Sequence, residues 1–272
     1  MSGNKKIYIG AMSGTSHDAI DVSILKIEKD ITLDFFHSKR IPNSIRTRIK
    51  NIIERDSVNL VELGQLNKKI GYLFAQAINK SIEKAKLQRS KIKCVAISGQ
   101  TIRHDVLSAN PFSMQIGDPN TVSSETGLIT VSDFRNMHIS LGGEGAPLVP
   151  EFHNELFHSS RKSKIILNIG GIANYSYIKN KNHFWGSDVG PGNALMDAYC
   201  QKYLNKPFDR DGKIASKGKV NARELKRLIL HKFFKQKFPK STGKELFNLN
   251  LLSKEFLKES PENILATLVE FT

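Results

Sequence analysis

A turn of small, polar residues near the start of the chain has the residue types needed to bind phosphate and a metal ion. In order, the turn contains Gly14, Thr15, Ser16, His17, Asp18, Ala19, Ile20 and Asp21. Successive backbone N–H groups in such a turn form a concave site for an anion. Asp18 and Asp21 could hold Mg²⁺ or orient water, because this cation prefers oxygen ligands and keeps part of its water shell. The alternative is a plain surface hairpin in which the small residues serve only the turn.

The elements around this turn are predicted to be β-strands. Apolar residues rich in β-formers lie on both sides of it, so residues 7–25 are expected to form strand, turn and strand. Further strands are predicted over residues 31–39, 94–97 and 128–131, and helices over residues 44–54, 58–87 and from Pro119 to about Gly127.

The second half of the chain repeats the opening pattern in another form. Residues 165–169 and 172–177 are predicted to be two strands that flank Gly170 and Gly171. Two hairpins with polar turns indicate a duplicated α/β architecture with a cleft between its halves.

A loop at residues 141–147 is the predicted boundary, with a first domain over residues 1–145 and a second over residues 146–272. In the second, a Gly-rich segment at residues 186–193 leads into a predicted helix through Tyr203. Helical patterns are then expected to dominate as far as the last residue.

Composition limits the cellular setting. Of the 272 residues 39% are apolar, which is enough for a packed core, and no run approaches the ~20 apolar residues that cross a bilayer. The first residues do not form a signal peptide pattern. The cysteines, Cys94 and Cys200, lie in apolar runs and indicate neither disulfides nor zinc. The sequence therefore predicts a cytoplasmic protein without a membrane partner.

The formal net charge of +15 raises the alternative of a nucleic-acid binder. The basic residues are spread along the chain, with a modest concentration at residues 223–244, where Phe233, Phe234 and Phe238 are interleaved. We interpret these aromatic residues as the apolar face of a helix. Distributed lysines are typical of a solvated surface, so no nucleic-acid partner is expected.

Several motifs, taken in order, make the chain resemble the anhydro-N-acetylmuramic acid kinases. They are Met12-Ser13-Gly14-Thr15-Ser16 with Asp18 and Asp21, Gly99-Gln100-Thr101 with His104, Gln115-Ile116-Gly117-Asp118, Asp133-Phe134-Arg135, Gly145-Ala146-Pro147-Leu148-Val149-Pro150, Asn168-Ile169-Gly170-Gly171-Ile172-Ala173-Asn174, Asp188 with Gly190-Pro191-Gly192-Asn193 and Met196-Asp197, and Lys240-Ser241-Thr242-Gly243 with Glu245, Phe247 and Asn248. So many motifs in one order make the resemblance specific.

The resemblance implies an actin-like fold of the sugar-kinase and heat-shock-protein type. Two ribonuclease-H-like domains, with mixed sheets flanked by helices, would close over ATP. It also implies the reaction: water opens the 1,6-anhydro ring of anhydro-N-acetylmuramic acid while O6 takes the γ-phosphate of ATP. The product is N-acetylmuramic acid 6-phosphate, in peptidoglycan recycling and amino-sugar catabolism. ATP and Mg²⁺ are the implied cofactors, and the implied assembly is a homodimer.

The resemblance also assigns a general base and a phosphate site. Asp188 is the expected base, because a nucleophile at the anomeric carbon must lose a proton to a group within hydrogen-bond reach. Its alternative role is to cap the next helix. The turn of Gly14 to Asp21 would bind the β- and γ-phosphates, with Asp18 as the Mg²⁺ ligand. Gly170 and Gly171 would form an opposing phosphate hairpin, or else only a tight β-turn.

The expected sugar contacts are Thr101, His104 and Arg135. An arginine suits the lactyl carboxylate because its guanidinium can form a bidentate pair. Arg135 could instead pair with Asp133 or another acid as a structural bridge. His104 could equally be a hydrogen-bonding histidine without a substrate contact.

Several positions depart from the family pattern, namely His17, Ala19, Ser98, His138, Glu144 and Val189. Val189 stands where a threonine usually follows the base, and Ala19 replaces a glycine, which matters only if that position needs a positive φ. The family also continues beyond the point matching Thr272, with a segment that binds adenosine. We therefore expect a second domain that is truncated before that segment and leaves apolar surface exposed. The alternative function is a catalytically inactive remnant that binds sugar or self-associates without turnover.

Overall fold

The computed structural model describes residues 6–14, 16–55, 57–106, 108–243 and 246–272. The chain forms two compact units, Met1–Gly145 and Ala146–Thr272. They are called the first and second unit below.

The first unit contains a mixed β-sheet. Its strands are β1 (Lys6–Ser13), β2 (Ala19–Ile27), β3 (Ile31–Arg40), β4 (Ile92–Asp105), β5 (Phe112–Ile116) and β6 (Thr130–Val131). The order is β3-β2-β1-β4-β5, with β6 also paired to β4. Strand β2 is antiparallel to β1 and to β3, and β5 is antiparallel to β4, whereas β4 is parallel to β1 and to β6. The parallel pairing of β1 with β4 places the end of β1 beside the middle of β4.

The helices of the first unit are α1 (Asn43–Glu54), α2 (Leu60–Lys84), α3 (Pro119–Thr126) and α4 (Phe134–Ser140). Helix α2 begins where the Asn59 side chain accepts hydrogen bonds from the next backbone N–H groups, and α3 ends at Gly127, whose φ of 67° few other residues adopt. The core contains fully buried residues from strands and from α2, including Ile9, Val22, Ile24, Phe74 and Ile78. Burying each such side chain contributes about 1.5–3 kcal/mol.

The second unit contains an antiparallel sheet of three strands, β7 (Lys164–Ile169), β8 (Ile172–Asn180) and β9 (His183–Pro191), in the order β7-β8-β9. Its helices are α5 (Val149–Phe157), α6 (Ala194–Tyr203), α7 (Ala222–Ile229) and α8 (Pro261–Phe271). A separate core joins α6, α7 and α8 through buried residues such as Leu195, Leu228, Phe247, Ile264 and Leu268.

The predicted α/β class, with a mixed sheet flanked by helices, is confirmed in the first unit. The two predicted hairpins are also confirmed, as β1–β2 and β7–β8. No described helix is long and apolar enough to cross a membrane.

Some elements of secondary structure were missed or were predicted too short. Strands β5 and β9 were not predicted, and the structure pairs them with β4 and β8 respectively. The strand predicted over residues 94–97 extends as β4 through Asp105.

The region after α6 is less helical than its sequence pattern predicted. Phe233 and Phe234 lie in a short 3₁₀ turn (Lys232–Lys235), not on the face of an α-helix, and Phe238 follows in an irregular segment. Proline at position 239 disfavours a helical conformation for the residue before it. The apolar face predicted for these aromatic residues is therefore replaced by a turn that packs them around Lys240.

Candidate functional site

The polar turn between β1 and β2 is tight. The N–H group of His17 donates to the carbonyl oxygen of Gly14 at 3.1 Å, and His17 has a φ of 55°. Thr15 lies outside the described residues. Ala19 already belongs to β2, so the positive φ falls on His17 and the substitution at Ala19 carries no backbone penalty. The Ile20 side chain is only 1% exposed and belongs to the core.

Asp18 provides an exposed carboxylate at the mouth of this turn. Its Oδ1 accepts a hydrogen bond from the Ser16 hydroxyl, and this bond is the main reason that the pKa of Asp18 lies below its ordinary value. The carboxylate is therefore ionised at neutral pH. One carboxylate, with phosphate oxygens and water, is a common ligand set for Mg²⁺. Asp21 lies in β2, opposite Met12 of β1. Within the described ranges, no cluster of three or more His, Cys, Asp or Glu residues lies close enough to hold a metal unaided.

A chain of hydrogen bonds joins two of the predicted sugar contacts. Thr101 and His104 lie on β4, opposite Gln115 and Ser113 of β5. The Gln115 amide donates to Thr101 Oγ1 at 3.3 Å and to Ser113 Oγ at 2.7 Å, and His104 Nδ1 lies 3.0 Å from the same hydroxyl. Pairing between the two strands therefore holds these polar groups in a fixed row.

Arg135, the third predicted contact, is tied to a glycine loop. Its Nη1 donates to the carbonyl oxygen of Gly145 at 2.7 Å, while the N–H group of Gly145 donates to His138 Nδ1 at 3.0 Å. Burial lowers the pKa of the guanidinium, which stays charged at neutral pH. Asp133 accepts from the Asn136 amide, and no described carboxylate forms an ion pair with Arg135. The alternative of a structural bridge to Asp133 is thus not observed.

Asn136, whose role no sequence signal indicated, connects Arg135 to the row on β5. The amide of Asn136 donates to the carbonyl oxygen of Ser113 at 2.8 Å, and its oxygen accepts from the Ser113 N–H group at 2.9 Å. This pair of bonds positions α4 against β5. The three predicted sugar contacts are therefore linked within the first unit.

Asp188 lies in β9 of the second unit, and it does not cap a helix. Its residue is 8% exposed, and its Oδ2 accepts from the Thr242 N–H group at 2.8 Å and from the Ser241 hydroxyl at 3.3 Å. The next helix, α6, is instead preceded by Asn193. The motif that contains Ser241 and Thr242 was noticed in the sequence, but nothing in its residue types revealed that it contacts Asp188.

Gly170 and Gly171 form the turn between β7 and β8 and pack against the start of α6. The carbonyl oxygen of Gly170 accepts from the Asn193 N–H group at 2.8 Å, and that of Gly171 accepts from the N–H groups of Gly192 and Ala194 at 2.9 and 3.0 Å. These bonds satisfy donors at the helix terminus. Because a trans peptide directs its N–H opposite to its C=O, the next N–H groups, of Gly171 and Ile172, point away from α6.

These observations define an α/β protein with a candidate phosphate-binding turn, a row of linked polar side chains and a buried carboxylate. The model of one family, anhydro-N-acetylmuramic acid kinase, matches residues 6–272. The chain belongs to the anhydro-N-acetylmuramic acid kinase family.

Curated relatives support the same assignment. A protein named anhydro-N-acetylmuramic acid kinase from Gamma-proteobacterium EBAC31A08 is 62% identical over 269 residues, covering 99% of this chain and 74% of that protein. One of the same name from Vibrio cholerae is 40% identical over 271 residues, covering 98% and 73%.

Among solved structures, a reductive activator for a corrinoid, iron–sulfur protein is similar at a TM-score of 0.40 and 13% identity, covering 73% of this chain and 35% of that one. A ROK hexokinase from Thermus thermophilus is similar at a TM-score of 0.30 and 9% identity, covering 66% and 48%. Likeness at this level carries no argument about function.

Proposed function

We propose that the chain is an ATP-dependent kinase that opens the 1,6-anhydro ring of anhydro-N-acetylmuramic acid and phosphorylates O6. Water adds to the anomeric carbon, the bond from that carbon to O6 breaks, and O6 takes the γ-phosphoryl group of ATP. The products are N-acetylmuramic acid 6-phosphate and ADP. Family membership over residues 6–272 supports this reaction.

The single observation that carries the proposal is the environment of Asp188. A general base must be ionised and must hold a fixed direction toward the water that it deprotonates. Two donors, the Thr242 N–H group and the Ser241 hydroxyl, bind its Oδ2 and thereby limit rotation of the carboxylate. Asp188 would take the proton from water as the new bond to the anomeric carbon forms.

The turn from Gly14 to Asp21 is the proposed site for the β- and γ-phosphates. The depressed pKa of Asp18 supports a role as an oxygen ligand for Mg²⁺, and the ion would offset charge on the transferring phosphoryl group. The position that a Cβ would take at Gly14 has no described atom within 4 Å apart from those of adjacent residues, which supports close approach by a phosphate. The N–H groups of Gly171 and Ile172, which point away from α6, are further candidate phosphate donors.

Arg135, Thr101 and His104 are the proposed sugar contacts. Arg135 uses one donor for Gly145, so its other N–H groups are available for the lactyl carboxylate of the sugar. Thr101 and His104 lie three positions apart on β4, and they are joined to Gln115 and Ser113 of β5, respectively.

Three further properties follow from the family resemblance. We propose that the protein works in the cytoplasm, as a homodimer, and that Met1–Gly145 and Ala146–Thr272 act as its two actin-like domains. Sedimentation velocity tests the assembly: a single species of twice the mass of 30.5 kDa is expected, and a monomer at all concentrations would contradict it.

The function is tested by supplying ATP, Mg²⁺ and anhydro-N-acetylmuramic acid and measuring the phosphorylated sugar by mass spectrometry. Asp188→Asn should lower kcat by about 10²- to 10⁴-fold, the usual effect of losing a general base. The matched control is Asp211→Asn, which changes an exposed carboxylate of the second unit and should retain full activity. Absence of product from the folded wild-type chain would overturn the proposal and favour the inactive remnant.

A further inference from the structure

Lys240 is a buried lysine whose ammonium group lies among aromatic rings. The residue is 7% exposed, and its Nζ donates to the carbonyl oxygen of Phe233 at 3.1 Å. The same Nζ lies 4.4 Å from the ring centroid of Phe233, 4.5 Å from that of Phe238 and 5.8 Å from that of Phe234. Such distances allow cation–π attraction. None of the described carboxylates forms an ion pair with this ammonium.

The charge on Lys240 is costly in this environment. Burial disfavours the ammonium and lowers the pKa of Lys240. Replacing a buried charged side chain by an apolar one of similar volume often leaves the stability of a protein unchanged or raises it. Packing alone therefore does not account for a lysine, and the hydrogen bond to Phe233 fixes its head group at one place.

The backbone of Lys240 is joined to β9 at the proposed base. Its N–H group donates to Ser187 Oγ at 2.9 Å, and its carbonyl oxygen accepts from the Asp188 N–H group at 2.9 Å and from the Ser187 hydroxyl at 3.0 Å. The next two residues, Ser241 and Thr242, donate to Asp188 Oδ2. One short segment therefore holds both the backbone and the carboxylate of Asp188.

We propose that Lys240 is a positioning residue, which anchors the segment of residues 240–242 through its ammonium in the cage of Phe233, Phe234 and Phe238 and thereby sets the direction of the Asp188 carboxylate. The inference rests on the proposed function, since it gives Asp188 the role of base. In this role the buried Lys240 touches neither the sugar nor ATP. It acts through Ser241 and Thr242.

The test compares two substitutions at position 240 with a matched control. Lys240→Met keeps the length of the side chain and removes its charge, and Lys240→Arg keeps a cation. Lys202→Met removes another lysine of the second unit that lies over a ring, that of Tyr203 at 5.3 Å, but on the surface. We expect Lys240→Met to lower kcat by about 10²-fold, the cost of a small misplacement of a reacting group. KM for both substrates should stay unchanged, Lys240→Arg should recover most of kcat, and Lys202→Met should match the wild type.

A second measurement is independent of activity. Amide hydrogen exchange of Asp188 and Thr242 reports two hydrogen bonds that hold the base in place. The Asp188 N–H group donates to the Lys240 carbonyl oxygen, and the Thr242 N–H group donates to Asp188 Oδ2. Exchange at both amides should become at least about tenfold faster in Lys240→Met, which corresponds to easier local opening, and should not change in Lys202→Met. Should Lys240→Met fail to fold, Lys240→Arg and Ser241→Ala are measured in the same way, with slow exchange retained in the first.

The outcomes separate the inference from the proposed function. Wild-type protein without kinase activity would overturn the function, while the exchange rates would still decide whether Lys240 anchors the segment. Unchanged kcat and unchanged exchange in Lys240→Met would overturn the inference and leave the function intact. The loss in log kcat of the double variant Lys240→Met/Ser241→Ala should be smaller than the sum of the two single losses, because both residues act through one contact. Losses that add in full would also contradict the inference.

Discussion

At the scale of single residues, the proposed chemistry depends on how side chains are held. The Asp188 carboxylate receives two hydrogen bonds from residues that follow more than fifty positions later, Ser241 and Thr242. Arg135 is held by a carbonyl oxygen instead of a carboxylate, which preserves its net charge for an anionic ligand. Both arrangements favour binding or deprotonating a ligand over making a structural ion pair.

Arg135 should determine the preference for a sugar that carries a lactyl carboxylate. Arg135→Lys loses the bidentate geometry, so kcat/KM for anhydro-N-acetylmuramic acid should fall about tenfold or more. Activity toward anhydro-N-acetylglucosamine, which lacks the lactyl group, should change little. The control is Arg103→Lys, an exposed arginine of β4. Equal losses for both sugars would show that Arg135 does not read the carboxylate.

Asp118 should make stability depend on pH. Partial burial raises its pKa, but hydrogen bonds from Lys68 and Thr121 outweigh this effect and lower the pKa from 3.8 to about 2. Because the folded-state pKa is depressed, the stabilisation is present above about pH 4 and is lost as pH falls toward 2. Asp118→Asn, which can still cap α3, should lower the free energy of unfolding by about 1–2 kcal/mol at pH 6.

Urea denaturation at several pH values checks this prediction. The difference between wild type and Asp118→Asn should stay constant from pH 6 to about pH 4 and shrink as the pH falls from 4 toward 2. Glu83→Gln is the control, since it removes an exposed pair with Lys80 that contributes little at any pH. A difference that is independent of pH would rule out the ionised carboxylate as its source.

At the scale of elements, the turn of the β7–β8 hairpin packs against the N-terminus of helix α6. The glycine carbonyls of the turn satisfy the first donors of α6, which has no side-chain cap of its own. The hairpin and the helix were both predicted from sequence, because a glycine turn between β-formers and a periodic apolar run are local signals. The contact between the hairpin and the helix was not predicted, because it is made by backbone groups that every residue carries.

The extended conformation of strand β9 was also not predictable from its own residues. Its sequence around Asp188 is rich in glycine and polar residues, which are poor signals for a strand. Pairing with β8 imposes the extended conformation. The motif was enough to propose Asp188 as the base, whereas the position of Asp188 in a strand, and its contact with residues 241–242, were not predictable.

Gly192 should be essential to the contact between the β7–β8 turn and α6. A Cβ at Gly192 would lie 2.1 Å from the carbonyl oxygen of Gly170, a backbone atom that cannot move aside alone. Gly192→Ala should lower the free energy of unfolding of the second unit by about 1–3 kcal/mol and raise KM for ATP as the turn shifts.

The control for Gly192 is on the other side of the same contact. A Cβ at Gly170 would make only ordinary contacts, at 3.7 Å and beyond, so Gly170→Ala should leave the thermal midpoint unchanged or slightly higher. Calorimetry of both variants gives the comparison. If Gly192→Ala is as stable as wild type, the turn does not pack on α6 in the way described.

At the scale of the whole molecule, the chain combines two units with separate cores. The α/β class and the order of motifs were predictable, because hydrophobic periodicity and motif order are properties of the sequence itself. The net charge of +15 helped less to choose between a kinase and a nucleic-acid binder, because a total charge does not reveal where the charged residues lie. Only the structure places Lys240, one of these charges, inside the second unit.

The central claim is that water, deprotonated by Asp188, opens the sugar ring while O6 is phosphorylated. The most direct measurement runs the reaction in water labelled with ¹⁸O and locates the label in the product by mass spectrometry, with preformed product incubated in labelled water as the control for exchange. The account predicts one ¹⁸O atom at the anomeric carbon, none in the phosphate, and formation of this labelled product about 10²- to 10⁴-fold more slowly by Asp188→Asn. A product that carries its label in the phosphate, or none at the anomeric carbon, would contradict it.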